Sequence, residues 1–280
     1  MCSSDLFGGI ARGFKYLRGK AVDDAYDPQA ALIMNLGLLS GTDFMTGLRT
    51  YFLAYSPLKQ SRTGKPSAMW SAGSGKFGTK LRYLDVDEVV MTGRSARPVL
   101  LHIHRHEEDG PPVFDLLDAS ELVGLLINEK IQSLYKRFAN AHFAVIGPAG
   151  ENFRQVRYAA VGLSTENQLK SGDPKARYCG RGGMGGMLGS KNILAIVADT
   201  PDQRGGKPHP QIKEPNQEIA RAEGSRRFPD ANKNNRGGGT WANYQALNPL
   251  HAMPERNFVP TDGNASDQLY RPNVAGTVSA

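Results

Sequence analysis

The sequence predicts an α+β fold, on three observations: several short runs with strand character, one segment with a clear helical period, and glycine-rich turns between them. Leu48 to Tyr55 is rich in Tyr, Phe and Leu. It reads as a strand, as do Phe143 to Ile146 and Ile193 to Ala198. Glu88 to Met91 and Pro98 to His104 are expected as two strands of a hairpin, joined through Gly93 to Arg97. Tyr158 to Val161 reads as a further short strand. The period then changes: Val123, Ile127, Ile131, Leu134 and Phe138 share one helical face. Asp118 and Glu121 have the spacing of a capping box, and Ser120 is a second N-cap candidate. Phe77 to Leu84 reads as a short helix. Ser61 to Gly78, full of Gly, Ser and Lys with Trp70 inside it, reads as a loop.

Composition narrows the class. The 280 residues are 40% hydrophobic and 22% charged, which excludes a disordered chain and fits a globular one. A net charge of +7 tolerates an anionic cofactor or nucleic acid without demanding either. No apolar run approaches the ~18 residues of a membrane span, and no secretory signal is legible. Neither a membrane nor a nucleic-acid partner is expected, and the default location is cytoplasmic. Cys2 and Cys179 are the two cysteines, too few for a disulfide framework or a four-thiolate metal site.

Residues 1–6 match the translation of a short sequencing adapter and are read as foreign to the natural chain. Residues 7–200 read as one domain. Residues 201–239, rich in Pro, Gly, Lys, Arg and Asn, read as a linker or insertion with one helix near Glu218 to Glu223. Trp241, Tyr244, Leu247 and Leu250 follow Thr240, a plausible N-cap. Residues 240–280 therefore read as the start of a truncated helical domain.

The densest motif lies between Arg177 and Ala195, where glycines alternate with Arg181 and Met184 in front of the apolar run from Ile193. Glycine lets backbone approach a ligand closely, successive N–H groups form an anion-binding concavity, and guanidinium forks recognise phosphate. The segment reads as a phosphate cradle. It is not a Walker A loop, because Gly189-Ser190-Lys191 reverses the required order. Gly180, Gly182 and Gly185 have dinucleotide-fingerprint spacing, but the segment is expected to run into a strand rather than open a helix. Two competing readings remain: a nucleotide-binding module on a generic glycine loop, and an RNA-binding module using the Arg-Gly-Gly triplets at Arg181, Arg204 and Arg236. The triplets are widely spaced and lack interleaved aromatics. His102, His104 and His106 alternate, so they share a strand face with affinity for zinc or copper. No carboxylate or Cys completes a set at obvious spacing, which favours a solvated face. Cys179, between Arg177 and Arg181, is either a reactive thiol or, as is commoner, a small packed side chain.

Gly180 to Val197 resembles the signature of the aldehyde:ferredoxin oxidoreductases, tungsten- or molybdenum-dependent pterin enzymes. Leu39 to Thr42, Thr46 to Arg49 and Ser56 to Leu58 are similar to the family's early cofactor segment. Gly75 to Gly78 and Thr92 to Val99 are similar to the next two, and Ile146 to Asn152 to a block before the signature. Gly239-Thr240 and Pro254 to Phe258 resemble the opening of the second, helical domain. The loop Trp70 to Gly75 departs from the family's Asn-Ser-Gly-Gly type. The stretches Ser164 to Lys175 and 201–238 also look atypical.

The resemblance implies two mixed β-sheets related by a pseudo-repeat, with few helices, forming the base on which a tungsten or molybdenum bis-pterin (molybdopterin) lies. By motif, Arg49, Gly73, Ser74, Gly75, Arg177, Tyr178, Gly180 and Arg181 would line that cofactor. Ala72 and Tyr178 would offer carbonyls to a Mg2+ bridging the pterin phosphates. The whole enzyme would oxidise an aldehyde to a carboxylate, pass electrons through a 4Fe-4S cluster to ferredoxin, and form a homodimer when full length. The cluster ligands and the substrate acid/base residues belong to later domains, so no catalytic residue is assigned here and the chain alone is expected to be inactive.

Overall fold

The computed structural model describes residues 8–45, 47–107, 109–202, 210–223 and 225. The expected foreign segment 1–6 and helical segment 240–280 lie outside the described residues. The chain divides into two compact units, Met1–Lys207 and Pro208–Ala280.

The first unit holds two β-sheets, as an α+β chain requires. The smaller contains β1 (Leu32–Leu36), β2 (Arg49–Gln60), β3 (Pro66–Ser74) and β4 (Glu88–Met91), in the order β3-β2-β1-β4. Every pairing in it is antiparallel. The larger contains β5 (Val99–His104), β6 (Val113–Asp118), β7 (Ala141–Val145), β8 (Val161–Leu163), β9 (Arg177–Cys179) and β10 (Ile193–Asp199), in the order β6-β5-β10-β7-β8-β9. It is mixed: β5 and β10 run parallel and the other neighbours antiparallel. Position explains composition. β1 is buried along its whole length and β10 along all but its last residue; β10 reads as an apolar run from Ile193 to Ala198 and β1 as one broken only by the buried Asn35. Edge strand β6 alternates, with Phe114, Leu116 and Asp118 exposed, as one solvated face dictates.

Helices α1 (Gly9–Leu17), α2 (Lys76–Tyr83), α3 (Ile127–Arg137), α4 (Pro148–Glu151), α5 (Glu166–Ser171) and α6 (Met184–Ser190) complete this unit among the described residues. Phe77 and Leu81 of α2 share one apolar cluster with Met34 and Phe52 of the smaller sheet and Phe143 and Ile196 of the larger. A single core therefore joins the sheets. Phe52, Phe77 and Phe143 are fully buried, each worth ~1.5–3 kcal/mol. Ile10, Phe14 and Leu17 of α1 cover the other face of the smaller sheet, against Ile33 and Leu53. In the second unit, α7 spans Pro210–Arg221 and buries no residue. It begins eight residues before the helix expected from Glu218.

Three expectations are corrected. Glu88–Met91 and Pro98–His104 do not form a hairpin. They are β4 and β5, in different sheets, because β1 takes up β4 while β6 and β10 flank β5. Half of the Ser61–Gly78 loop is strand: β3 pairs with β2 through Leu53↔Trp70 and Tyr51↔Ala72. Its Gly and Ser content conceals this, since cross-strand pairing outweighs intrinsic propensity. The α3 helix begins at Ile127, so Val123 stays exposed outside it. Glu129 Oε2 accepts the Leu126 N–H at 2.7 Å, while Asp118 binds Ser120 in the preceding turn instead of capping the helix.

Buried cations and one histidine tie the layers together. The Lys130 ammonium donates to Ile146 O at 2.7 Å and pairs with Glu151. Lys191 donates to Ala30 O at 2.6 Å and Pro28 O at 3.1 Å, and burial pulls its pKa down to about 8. His142 on β7 meets Ser164 Oγ at 2.9 Å. Burial first, then the nearby Lys80 and Lys76 charges, lowers its pKa from 6.5 to about 4.

Two outcomes follow. Between pH 6.5 and about 4 the unfolded chain binds a proton at His142 that the folded chain refuses. Stability from this group is therefore complete above pH 6.5 and lost as pH falls through that window, by ~3 kcal/mol in all. Denaturant titrations of His142→Gln should show a shallower acid-side slope than the parent; equal slopes would count against this. A Cβ at Gly189 of α6 would fall onto the Gly150 carbonyl oxygen of α4. Gly189→Ala should lower stability by about 1–3 kcal/mol, read as a drop in Tm, and an unchanged Tm would show that the helices can part freely.

Candidate functional site

The two sheets meet at their edge strands, β3 of the smaller and β9 of the larger. Specific contacts close this seam. The Arg181 N–H donates to Ser71 Oγ at 3.0 Å, and Ser56 Oγ donates to Gly182 O at 2.9 Å. Gly73 backs onto Leu163 and Cys179; a Cβ there would stand 2.7 Å from Leu163 Cδ1 and 2.9 Å from Cys179 Sγ. After β9 the chain turns through Gly182 and Gly183, with φ of 67° and 69°. This left-handed pair suits glycine and sends the chain into α6, whose residues are all buried. The expectation that the glycine segment runs directly into a strand is thus corrected: a seven-residue helix intervenes before β10. The three-residue β9 and the antiparallel β8–β9 pairing still differ from the parallel unit of a dinucleotide fold.

Above the seam lies a cavity of about 570 Å3 lined by Ile10, Arg49, Tyr51, Trp70, Ser71, Ala72, Tyr178, Gly180 and Arg181. Five residues singled out from the sequence therefore meet here: Arg49, Ala72, Tyr178, Gly180 and Arg181. Arg49 opens β2, opposite Ser74 of β3, and Arg181 follows β9. Neither guanidinium has a carboxylate partner among the described residues. Two arginines lining one cavity, unpaired with carboxylates among the described residues, suit it to an anion. Tyr178 is half exposed at its mouth.

Gly73, Ser74, Gly75 and Arg177 are absent from the lining. Gly73 turns into the seam, Gly75 caps the start of α2 with φ 138°, and Arg177 is exposed on β9 opposite Leu163. Sequence reading missed Ile10, Tyr51, Trp70 and Ser71. The signal for Tyr51 and Trp70 was their alternation with Arg49 and Ala72 along β2 and β3, visible only once the strands are in register.

Cys179 is the packed alternative, not the reactive one. Its side chain is buried, and burial pushes the thiol up to about 12 against the opposing pull of Arg49. The triplets at Arg204 and Arg236 lie outside the described residues. The histidine expectation also changes: Asp115 of β6 completes a group with His102 and His104 that sequence spacing did not reveal.

This geometry has relatives. Residues 2–200 match the family model described as aldehyde ferredoxin oxidoreductase, N-terminal domain, and the chain belongs to that family. A tungsten-containing aldehyde ferredoxin oxidoreductase of Pyrococcus abyssi is 37% identical over 192 residues, covering 66% of this chain and 28% of the relative. The enzyme of the same description from Pyrococcus furiosus is 32% identical over 189 residues, covering 66% of this chain and 27% of that one. An aliphatic sulfonate oxidoreductase, WOR-like subunit, of Pyrococcus furiosus is 24% identical over 227 residues, covering 74% and 31%. The solved active-site complex BamBC of benzoyl coenzyme A reductase superposes with a TM-score of 0.56 at 26% identity, covering 81% of this chain and 30% of its own. The chain thus spans under a third of the relatives it matches.

The Cys179 environment gives a direct check. In a Cys2→Ser background the native protein should react with a thiol reagent at pH 8 at least about a hundredfold slower than the unfolded protein, because the thiolate is the nucleophile. Equal rates would place the thiol in solvent.

Proposed function

We propose that residues 7–200 form the base of a tungsten or molybdenum bis-pterin site in an aldehyde:ferredoxin oxidoreductase-like enzyme. The observation that carries the reading is the cavity at the β3–β9 seam, lined by Arg49 and Arg181, neither of which pairs with a carboxylate among the described residues. The fit is chemical. Pterin phosphates are anionic, guanidinium forks bind phosphate oxygens in pairs, and Trp70 and Tyr51 offer flat apolar walls. Arg49 and Arg181 hold the phosphates, with Arg177 at the rim. Gly180 would supply close-approaching backbone, Gly73 would act by closing the seam beneath the cavity, Ser74 and Gly75 would meet the cofactor where it extends past the lining toward α2, and the Ala72 and Tyr178 carbonyls would hold a Mg2+.

When bound, the metal with its dithiolenes supplies the two-electron redox chemistry. The whole enzyme would take an aldehyde and water to a carboxylic acid, two protons and two electrons, a 4Fe-4S cluster held by its later domains supplying the route for those electrons to ferredoxin. This cytoplasmic enzyme is a homodimer at full length. Residues 201–239 link the base to a helical domain opening at residue 240. In this reading cluster ligation belongs to later domains of the whole enzyme: two cysteines cannot supply four thiolates, and Cys179 is buried, its thiol pushed up to about 12. The chain alone binds no cluster and oxidises no aldehyde, and iron-sulfur absorbance in the purified chain would refute that part.

The cofactor reading is tested in the full-length enzyme. Arg49→Ala combined with Arg181→Ala should cut pterin and tungsten or molybdenum content at least about tenfold, the loss of two charge-assisted contacts of ~1.5–3 kcal/mol each. Element analysis and the fluorescence of oxidised pterin measure this. Undiminished loading in a folded double variant would overturn the reading.

A further inference from the structure

At the edge of the larger sheet opposite β9, three adjacent strands place two imidazoles and two carboxylates on one face. β5 lies between β6 and β10. His102 stands opposite Asp115 of β6 and Val197 of β10. By the alternation of strand side chains, His104 and Asp199 emerge on the same face as that pair. His102 Nε2 is 2.9 Å from Asp199 Oδ2, and His104 Nε2 is 2.8 Å from Asp115 Oδ2. One ligand atom each of His102, His104 and Asp115 lies within 4.8 Å of the others.

We propose that this cluster is a binding site for a divalent first-row transition cation, ligated by His102, His104 and Asp115, with Asp199 as the second carboxylate. Four features support it. The rings are already ordered: His102 and His104 stack at 4.3 Å, with Phe138 at 4.7 Å from His102. Their side chains are 12% and 16% exposed, shielded yet reachable. His104 Nδ1 lies 3.3 Å from the Arg105 carbonyl oxygen. A proton on Nδ1 donated to that oxygen turns the Nε2 lone pair of a neutral ring toward Asp115, and a cation between the two acceptors satisfies both. Two neutral imidazoles and two carboxylates carry charge −2, matching a dication. No lysine or arginine among the described residues pairs with either carboxylate. Two imidazoles with a carboxylate suit zinc, iron(II) or cobalt(II) rather than magnesium or calcium. Ligand atoms ~2.0–2.2 Å from a tetrahedral cation stand about 3.3–3.6 Å apart; the three atoms already lie within 4.8 Å of one another, so small side-chain shifts close the set.

The test uses the full chain, free of any affinity tag and stripped with chelator, titrated with cobalt(II) and, separately, zinc(II). The expected result is one saturable equivalent with ligand-field absorbance characteristic of fewer than six ligands. Asp115→Asn keeps the size of the side chain and a hydrogen bond to His104, so it should fold as the parent does while weakening binding at least about tenfold. His104→Ala should weaken it further, with folding checked by circular dichroism. Absence of saturable binding in the parent, or affinity unchanged in folded Asp115→Asn and His104→Ala, would overturn the site. Pterin loading is not part of the readout, so failure here leaves the cofactor reading standing.

Discussion

The edge-to-edge seam between β3 and β9 is the constraint on which the rest of the first unit depends. A sheet edge exposes unpaired backbone groups and is a liability when left open. Here two edges from different sheets cover one another. The approach is close because Gly73 has no side chain where Leu163 and Cys179 press in. Ser71 holds the Arg181 backbone N–H at the same place. These contacts bring Arg49, from one sheet, and Arg181, from the other, to a single cavity. Neither sheet alone presents both charges.

What holds the seam in register lies deeper. The core is continuous through α2, so movement of one sheet would displace Phe77 and Leu81 from both. Behind β9, α6 packs against α4 with Gly185 and Gly189 of one helix close against Gly150 of the other. Lys130 anchors the approach to α4 by gripping Ile146 O and Glu151. Burial lowers the Lys130 pKa while Glu151 raises it. Breaking such a pair on one side leaves a buried charge uncompensated, which is why single-sided loss is costly. Lys191 does the same work after α6, reaching back to the carbonyls of Pro28 and Ala30. The glycine segment is therefore clamped at both ends by elements distant in sequence.

The parts of this arrangement legible in the sequence share a physical character: they are set by local chemistry. Ile193 to Ala198 is apolar enough to declare a central strand, and it is one. Arg181 among glycines reads as an anion site, and Arg181 lines the cavity. Trp70 and Ser71 went unseen because Gly, Ser and Lys around them carry turn propensity, and only pairing with β2 makes the segment a strand. The β4–β5 connection misled for the same reason: Gly93 and Pro98 mark a turn but not which sheet the chain enters next. Asp115 and Asp199 joined His102 and His104 through strand order, a non-local property that no spacing in the sequence encodes.

The cavity's chemistry limits what it can do. Its lining holds two guanidiniums, two phenols, an indole and the Ser71 hydroxyl, with no carboxylate, imidazole or thiol. Ser71 already accepts the Arg181 N–H, and the one nearby cysteine is buried, its thiol at about 12. A general acid or base needs a pKa near the operating pH, and arginine stays charged throughout the accessible range. Such a surface fixes and neutralises an anion but moves no proton. If the cavity holds a phosphate-bearing cofactor, proton transfer to and from substrate must come from the side facing away from β3 and β9. The cradle and the chemistry are then separate problems for the chain: one is solved by glycine and arginine at a sheet seam, and the other by groups brought over the cofactor.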